Sequence, residues 1–431
     1  MLNIIYADGK SELEFLKSLE KRNRNAALEI EIKVRDIIEN VLIKGDEALK
    51  EYSLKFDNAK LSSFEVSKEE MQDALNNCEP KFRAVLEEAA ENIRDFHEMQ
   101  KEQGFENKKG EGIVLGQKVR PLKRVGIYVP GGTAAYPSTV LMNAVPAKVA
   151  GVEEIIMVTP PMKNGGANPD ILAAAAVSGV DRVFLVGGAQ AIAALAYGTE
   201  SIPKVDKITG PGNIYVATAK RLLYGIVDID MIAGPSEVLI IADESAEPSY
   251  LAADMLSQAE HDVLASSVLI TTSEEIAKKT IEQVELQLER LERVEIARKS
   301  IDDFGFVIVC KDIARAYEIA DLIAPEHLEL MVKEPMKALE KINNAGSVFL
   351  GKYSPEPLGD YFAGPNHVLP TSGTARFSSP LSTNDFMKRF NYISYDKDAL
   401  KEAKDKIVLF AEKEGMTAHA NSIKVRFTDE Q

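Results

Sequence analysis

The amino-acid sequence predicts an α/β protein of two similar three-layer units, each a parallel sheet with helices on both faces. Short apolar runs alternate with helical segments from Arg124 onwards, and this alternation pauses near residue 235 and then resumes. Regular alternation of strand and helix indicates parallel strands that are covered on both faces. A chain of 431 residues, 45% of them hydrophobic, is long enough to bury two large cores. The blocks at about 124–235 and 236–350 therefore indicate an internal duplication.

The residues before the first block predict a short arm and a helical segment. Residues 1–20 form the arm, which a polar cluster at 21–25 separates from the rest and which either packs on a partner subunit or frays. The segment from 26 to 101 predicts consecutive amphipathic helices. They run from about Ala27 to Lys55, from Ser67 onwards and from Pro80 onwards, and His97 is predicted on a helix surface.

Three strands of the first block run into glycine clusters ahead of a helix, at residues 130–132, 187–188 and 210–212. Glycine lets the backbone approach a ligand closely and a helix amino terminus attracts phosphate, so this geometry suits a dinucleotide. The block has no G-x-G-x-x-G, however, and the strand EEIIMVT ends without an acid for a ribose, so tight connections explain the glycines equally well. The polar residues beside these strand ends are the better indication of a ligand: Tyr128, Gln190 and Asn213.

The second block predicts the strands EVLIIAD, SSVLITT, FGFVIVC, HLELMV and GSVFLG. Its helices include one that begins near Pro248 and a long charged one from about Glu274 to Lys299. After Gly351 the chain becomes rich in turns and predicts a long ordered loop, a feature that is usually functional within a domain. The end, from about 386 to 426, predicts a helix-rich tail.

The helix near Pro248 carries the first indication of a metal. Gln258 and His261 stand three apart in the stretch DMLSQAEHD, so they share one helical face and can point at one atom. A solvated helix face is the ordinary explanation for such a pair taken alone. Zinc, however, binds imidazole nitrogen and carboxylate or amide oxygen. Four of the five histidines lie beyond residue 260, each near an acid or an amide: His261 with Gln258, His327 with Glu326, His367 with Asp360 and His419 with Glu414.

Composition excludes several classes of protein. A net charge of -16 argues against nucleic acid as a partner, because neutralising phosphate needs a basic surface. No apolar run approaches the length of a membrane span, and Asp8 and Glu12 interrupt the start where a signal peptide needs an apolar core, so we expect a cytoplasmic protein. Two cysteines are too few for a disulfide framework, and Cys310 is predicted as a buried structural residue.

Several segments between about residues 124 and 420 are distinctive in their sequence, order and spacing. They are VGIYVPGGTAAYPSTVLMNAVPAKVAGV, GPGNIYVATAK, AGPSEVLIIAD, the helix with DMLSQAEHD, APEHLEL and LGDYFAGPNHVLPTSGTARFSSPLS. Together they closely resemble the L-histidinol dehydrogenase family, while residues 1–120 match it in length and helical character only. The resemblance implies an aldehyde-dehydrogenase-like fold of incomplete Rossmann type. It also implies a homodimer with one zinc ion per subunit, which oxidises histidinol to histidine through the aldehyde with two NAD, the last step of histidine biosynthesis.

The resemblance further assigns roles to single residues. It implies zinc ligands at Gln258, His261, Asp360 and His419, with His419 supplied by the partner subunit, and an acid–base pair at Glu326 and His327. It implies substrate contacts at Ser236, His367 and Glu414, besides His327 and the four zinc ligands, and NAD contacts at Tyr128, Gln190 and Asn213. The missing dinucleotide fingerprint is a feature of this family.

The resemblance also suggests how the chain divides into domains. We expect an N-terminal arm, two α/β domains and a tail that packs on the partner subunit. In the same order they comprise residues 1–20, residues 21–123 with 236–380, residues 124–235 on the NAD side, and residues 381–431.

Oxidation of a primary alcohol to an acid sets two proton-transfer tasks at one site. The imidazole of His327, with an ordinary pKa of ~6.5, suits the hydroxyl proton, and the carboxylate of Glu326 suits activation of the hydrating water. Without the resemblance, a turn with solvated charges explains this pair, and Asp360 is an ordinary turn residue. The pair precedes the strand HLELMV, whereas ligands usually lie at carboxyl ends of strands, and the sequence offers no account of this.

Three alternative functions remain open at this level. The same machinery acting on another small polar alcohol is the nearest of them. A zinc hydrolase, in which Glu326 activates water and the glycine turns are structural, belongs to a different class. A non-catalytic binding protein is the third.

Overall fold

The computed structural model describes residues 2–14, 27–131 and 136–430 of the chain. They form two compact units, which are Met1–Gln100 with Leu122–Phe386 and Lys101–Pro121 with Met387–Gln431. Gly132 of the first glycine cluster, residues 1 and 15–20 of the predicted arm and the polar cluster at 21–25 lie outside the described residues. Within the described chain, none of the helices combines the length and the apolar character that crossing a membrane requires.

The first unit contains two six-stranded sheets, which we call sheet I and sheet II. All neighbours are parallel except the first pair of sheet I. Sheet I has the order β2 (Glu65–Val66), β7 (Arg182–Leu185), β6 (Glu154–Thr159), β5 (Arg124–Tyr128), β8 (Lys207–Thr209), β9 (Asp228–Ile229). Sheet II has the order β1 (Asn3–Tyr6), β12 (Gly305–Val309), β11 (Ser266–Thr271), β10 (Glu237–Ala242), β13 (His327–Met331), β14 (Ser347–Leu350). Part of the predicted arm therefore forms the edge strand of sheet II.

The helices of the first unit connect these strands and cover them. They are α1 (Ala27–Lys44), α2 (Asp46–Asp57), α3 (Lys68–Asn77), α4 (Pro80–Glu98), α5 (Pro137–Ala150), α6 (Pro169–Ser178), α7 (Gly188–Tyr197), α8 (Ile214–Leu223), α9 (Pro248–Ala259), α10 (Glu274–Leu288), α11 (Val294–Phe304), α12 (Ile313–Ile323), α13 (Pro335–Leu339) and α14 (Glu356–Tyr361). Single 3₁₀ turns cover Thr374–Arg376 and Thr383–Phe386.

Sheet II is covered by helices on both faces. Along β10, Val238 and Ile240 pack with α9 on one face, and Leu239 and Ile241 pack with α12 on the other. Successive side chains of a strand point to opposite faces, so a strand that is apolar at every position must be buried on both.

Sheet I is buried in the same way. Ile156 and Val158 of β6 pack with α1 and α7, and the intervening Ile155 and Met157 are also fully buried. The predicted fold class, α/β with two parallel sheets that helices cover on both faces, is confirmed.

The predicted helix from Ala27 to Lys55 is wrong, because the chain forms two helices that are divided at Gly45. Gly45 has a φ of +53°, and a Cβ there would lie 2.4 Å from Oε2 of Glu200. The same Glu200 oxygen accepts a hydrogen bond from the backbone N–H of Asp46 at 2.8 Å. A distant carboxylate therefore caps the start of α2, and the positive φ of Gly45 favours glycine at the break.

The predicted helix from Glu274 to Lys299 is also wrong, since α10 ends at Leu288 and α11 begins at Val294. Leu291 and Val294 of the connection pack against the core of sheet II. Arg298 of α11 pairs with Glu285 of α10 at 2.6 Å. Packing of these apolar residues decides the break, because no glycine or proline marks it in the sequence.

The second unit contains a sheet whose strand β15 (Met387–Tyr395) forms the start of the tail that the sequence predicts as helix-rich. Its sheet has the antiparallel order β15, β4 (Ile113–Pro121), β3 (Phe105–Gly110). The helices α15 (Lys397–Lys413) and α16 (Thr417–Lys424) follow, and a final 3₁₀ segment covers Val425–Glu430. The tail is thus helix-rich only after residue 396.

His97 and Cys310 are both buried. His97 is fully buried rather than on a helix surface, and its Nδ1 donates to the carbonyl oxygen of Ile93 at 2.7 Å. Nδ2 of Asn366 lies 3.3 Å from its Nε2, so the loop after α14 contributes to the burial of this histidine. Cys310 is 3% exposed, and burial raises the pKa of its thiol to about 11, as expected of a structural cysteine.

Candidate functional site

The predicted acid–base pair lies at the amino end of β13. Because β13 runs parallel to β10 with His327 opposite Val238, the pair meets the backbone of Glu237. The N–H of Glu237 donates to Oε2 of Glu326 at 2.8 Å, and Nδ1 of His327 donates to the carbonyl oxygen of Glu237 at 3.0 Å. The neighbouring strand therefore fixes both side chains.

The other imidazole nitrogen of His327 points at two carboxylates. Nε2 lies 3.8 Å from Oδ1 of Asp360 and 3.9 Å from Oε1 of Glu356, and it has no hydrogen-bond partner among the described residues. His327 is 4% exposed. Nε2 is thus buried, unpartnered and directed at negative charge, which suits an atom that takes up a proton.

Gln258 and His261 lie at the end of α9. The helix ends at Ala259, so His261 follows it in a turn whose backbone N–H donates to the carbonyl oxygen of Gln258 at 3.2 Å. The helical face that the sequence predicts for Gln258 and His261 therefore ends one residue after Gln258. Gln258 is 1% exposed, and neither its amide oxygen nor its amide nitrogen has a hydrogen-bond partner in the described chain. A buried amide without a hydrogen-bond partner in the described chain is typical of a residue that binds a ligand.

Three side chains form a group that can hold a metal ion. His261, Glu356 and Asp360 each offer one ligand atom, and these atoms all lie within 4.8 Å of one another. Imidazole nitrogen and carboxylate oxygen are ligands that zinc accepts. The sequence predicts His261 and Asp360 as ligands but not Glu356, which stands one helical turn before Asp360 on α14. The (i, i+4) spacing of these two acids was the signal that could have found it.

Burial and charge shift the pKa values of the acid–base pair in the same direction. Burial raises the pKa of Glu326 to about 7, against the lowering effect of His327. Burial opposes the charge on His327, but the carboxylates of Glu326, Asp360 and Glu356 outweigh it and raise the pKa of the imidazole to about 10. Local negative charge therefore dominates the site.

Burial and nearby charges also shift the pKa values of the neighbouring titratable groups. Burial raises the pKa of Glu356 to about 8, with Asp360 adding to the effect, and it raises the pKa of Glu329 well above its ordinary value. Burial lowers the pKa of His261 and of His367. Burial would raise the pKa of Asp360, but its contacts with His327 and His367 hold it below the usual range.

Ser236 and His367 lie in the same unit. Ser236 directly precedes β10, is half-buried, and its carbonyl oxygen accepts from the N–H of Ser266 at 3.0 Å. Nδ1 of His367 donates to the carbonyl oxygen of Asp360 at 3.0 Å, which leaves Nε2 for another partner.

Two cavities open beside the metal-binding group. A cavity of 260 Å³ is lined by His327, Asp360 and His367, together with apolar residues that include Phe349 and Leu358. A cavity of 330 Å³ is lined on one side by His261 and Glu260. These volumes fit small molecules rather than polymers.

The predicted NAD residues follow three strands of sheet I. Tyr128 ends β5, is 3% exposed, and its hydroxyl accepts from the N–H of Gly188 at 3.1 Å. Gln190 is buried in the first turn of α7. Asn213 is exposed and caps α8, where its Oδ1 accepts from the N–H groups of Tyr215 and Val216 at 3.0 and 3.2 Å.

Gly210 fits only as glycine. Its φ is +108°, and a Cβ there would lie 2.1 Å from the carbonyl oxygen of Tyr128. The loop after β8 therefore packs directly on the end of β5, where ligands of open parallel sheets bind.

Glu414 and His419 belong to the second unit. Glu414 is the C-terminal cap of α15, and His419 lies in the first turn of α16. Both residues are exposed on that unit.

Comparisons with known proteins agree over nearly the whole chain. The sequence model of a family described as histidinol dehydrogenase matches residues 20–427. The histidinol dehydrogenase of Clostridium acetobutylicum is 58% identical over 424 residues, 98% of each chain, and that of Listeria monocytogenes serovar 1/2a is 55% identical over 410 residues, 95% of this chain and 96% of the other. The crystal structure of histidinol dehydrogenase from Elizabethkingia anophelis superposes with a TM-score of 0.93 at 39% identity, covering 99% of this chain and 98% of that one.

Proposed function

The chain belongs to the histidinol dehydrogenase family, and from this premise we propose that it oxidises L-histidinol to L-histidine through L-histidinal, the last step of histidine biosynthesis. The observation that carries the proposal is the convergence of His261, His327 and Asp360 at the amino end of β13, in a chain of this family. NAD, when bound, accepts one hydride in each of the two oxidations, so two NAD are consumed per substrate. The proposal includes a cytoplasmic location, as the sequence predicts.

The proposed zinc ligands are Gln258, His261 and Asp360 of one chain and His419 of the partner subunit. The buried, unpartnered amide of Gln258 and the close ligand atoms of His261 and Asp360 support this set. When bound, the ion serves as a template that holds a polar substrate, because zinc has no accessible redox chemistry.

In this proposal His327 takes the hydroxyl proton at Nε2. Nδ1 is already committed to the carbonyl oxygen of Glu237, which leaves Nε2 as the acceptor. The surrounding carboxylates raise the pKa of His327 to about 10. A divalent ion beside Asp360 would offset their negative charge and lower the pKa of His327 towards its ordinary value. The proposed zinc ligands are therefore compatible with His327 as the base.

Glu326 is the proposed base for the second oxidation. The aldehyde must be hydrated before a second hydride can leave, and a carboxylate with a pKa near 7 can take a proton from water at neutral pH. The hydrogen bond from the N–H of Glu237 holds one carboxylate oxygen, so the other remains available.

The remaining proposed contacts divide between substrate and cofactor. Ser236 and His367, with Glu414, would orient the amino alcohol. Tyr128, Gln190 and Asn213 would contact NAD, and the position of all three at or after the carboxyl ends of strands of sheet I supports this role. We likewise propose the domain division given by the sequence, with residues 124–235 on the NAD side and residues 381–431 packed on the partner subunit.

The direct test is formation of NADH, followed by absorbance, with histidinol as substrate. The proposal requires two equivalents of NADH per histidinol and histidine as the product. A matched panel of small amino alcohols tests whether the substrate is another polar alcohol. No NADH with any alcohol, from protein with a stoichiometric zinc content, contradicts the dehydrogenase function.

A homodimer with shared sites is tested by mixing two inactive variants, His261→Ala and His419→Ala, after dissociation and reassociation. If each site combines His261 of one chain with His419 of the other, every hybrid dimer has one intact and one doubly defective site. Random mixing should then restore about a quarter of the parental activity. No recovery, despite hybrid dimers detected by mass, contradicts the shared site.

A further inference from the structure

Glu356 is a buried carboxylate at the start of α14 for which neither the sequence nor the proposed mechanism provides a role. Its ligand atom lies within 4.8 Å of those of His261 and Asp360. Two oxygen or nitrogen ligands of one zinc ion, each ~2.1 Å from the metal, stand no more than about 4.2 Å apart, so a spacing of this size closes with a small movement.

The contacts of Glu356 determine which of its carboxylate oxygens is free to face the ligand atoms of His261 and Asp360. Oε2 accepts a hydrogen bond from the hydroxyl of Ser257 at 3.0 Å, and the backbone N–H of Glu356 donates to Oε1 of Glu329 at 2.8 Å. Oε1 of Glu356 is then left on the side of His327, 3.9 Å from Nε2. Ser257 directly precedes Gln258, so this contact ties α14 to the helix that carries a proposed zinc ligand.

Buried acids adjoin Glu356, and a bound cation would pair with them. Glu356 is 1% exposed, its backbone N–H donates to the buried Glu329, and the Glu329 carboxyl contacts that of the buried Asp254. In the described chain, the cationic side chain within 4 Å of its carboxylate is His327. Buried carboxylates are ordinarily paired or bound to metal, because an isolated buried charge is very costly.

A second observation points to a ligand independently of the acids. The amide of Gln258, 1% exposed, has neither a donor nor an acceptor partner among the residues that are described, and Nε2 of His327 is buried and unpartnered beside Asp360 and Glu356. Two different chemical groups, an amide on α9 and an imidazole on β13, thus have unused ligand or hydrogen-bonding atoms besides the carboxylates.

We propose that Glu356 is a further ligand of the metal ion, bound through Oε1. The inference rests on the proposed zinc site and adds one carboxylate to its donor set, which gives the ion five ligands in the substrate-free protein. Ser257 and the N–H bond to Glu329 are the contacts that orient this carboxylate, as outer partners of metal ligands do.

The test compares metal binding, without substrate, in the parent chain and in Glu356→Gln. Zinc retention is measured by competition with a chelator, and the cobalt-substituted proteins are compared by their visible absorption, which reports the ligands themselves. Glu340→Gln, an exposed glutamate on the turn after α13, is the matched control. His261→Ala and Asp360→Asn serve as references, and circular dichroism confirms that each variant is folded.

We expect Glu356→Gln to weaken zinc retention by about tenfold or more and to change the cobalt spectrum, while Glu340→Gln changes neither. Retention within twofold of the parent overturns the proposal, and so does weaker retention with an unchanged cobalt spectrum, since Glu356 would then act only through Asp360. If His261→Ala and Asp360→Asn also keep the metal, the proposed zinc site itself fails. If they lose it and Glu356→Gln does not, only this inference fails.

Discussion

Nδ1 of His327 donates to the carbonyl oxygen of Glu237 at 3.0 Å, so the register between two parallel strands aims the opposite nitrogen at Asp360 and Glu356. A backbone carbonyl accepts only, which fixes the proton on Nδ1 and leaves Nε2 as the basic atom. The chemistry of the site therefore depends on the pairing of β10 with β13, which no local sequence motif predicts.

His327→Asn should lower turnover with histidinol by about two to four orders of magnitude, as loss of a general base does. Its zinc content should stay at the parental level, because His327 is not among the proposed ligands. Turnover is followed by NADH absorbance and zinc by elemental analysis of the same sample. Parental turnover in the variant would show that Nε2 is not the proton acceptor.

Gly210→Ala should destabilise the chain and raise the KM for NAD. The new Cβ would lie 2.1 Å from the carbonyl oxygen of Tyr128, so the loop after β8 must move away from β5. Gly225→Ala is the matched control, since Gly225 has a similar φ of +99° but open space around it. We expect Gly210→Ala to cost about 1–3 kcal/mol more than the control in urea unfolding. Equal costs would mean that the close approach is unimportant.

Lys220→Met should destabilise the chain by about 3–5 kcal/mol, because it leaves the charge of Asp230 buried without its cationic partner. Both side chains are almost fully buried, and they hold Gly210 from two sides. Lys220 donates to its carbonyl oxygen at 3.0 Å and Asp230 accepts from its N–H at 2.8 Å. The double variant Lys220→Met/Asp230→Asn should recover at least half of the loss.

The exposed pair Lys279–Glu275 provides the control for this effect. Lys279→Met should leave the urea midpoint unchanged, since solvent screens an exposed ion pair. All four proteins are compared by urea unfolding, with the slope checked for constancy. A double variant less stable than Lys220→Met would contradict the explanation by unpaired charge.

Asp57→Asn should stabilise the chain at neutral pH but not in acid. Burial raises the pKa of Asp57 to about 6, and its Oδ2 is a buried oxygen without a partner among the described residues. A carboxyl with a raised folded-state pKa favours the folded state below its ordinary pKa near 4, and this contribution is lost as the pH rises through about 6. After allowance for partial exposure, the gain in Asp57→Asn at pH 7.5 should be about 1–2 kcal/mol.

The measurement for Asp57 is urea unfolding of parent and variant at pH 4.5, 6.0 and 7.5. The difference between the two should grow with pH. Asp73→Asn, exposed on α3, is the control and should show no such trend. A difference that is constant with pH would assign the effect to packing rather than to charge.

Chemistry and order along the chain are sufficient to predict that several of the site residues lie near one another, while their roles stay predictions. The family motifs gave His261, Asp360 and the pair Glu326 and His327, and the structure brings these residues together. The sequence does not explain why Glu326 and His327 lie at the start of β13 rather than at its carboxyl end. The structure supplies the reason, because the turn after α9 returns the chain to the amino ends of β10 and β13, where these side chains meet.

The sequence by itself determined the α/β class, since apolar runs of strand length alternating with helical periodicity leave few other ways to bury the surface. It did not reveal the break at Gly45, the burial of His97 or the participation of Glu356. Each of these depends on a residue far along the chain: Glu200, Asn366 and Ser257. Local propensity acts over a few residues, whereas such contacts form only when the packed sheets bring distant segments together, so the tertiary structure alone decided them.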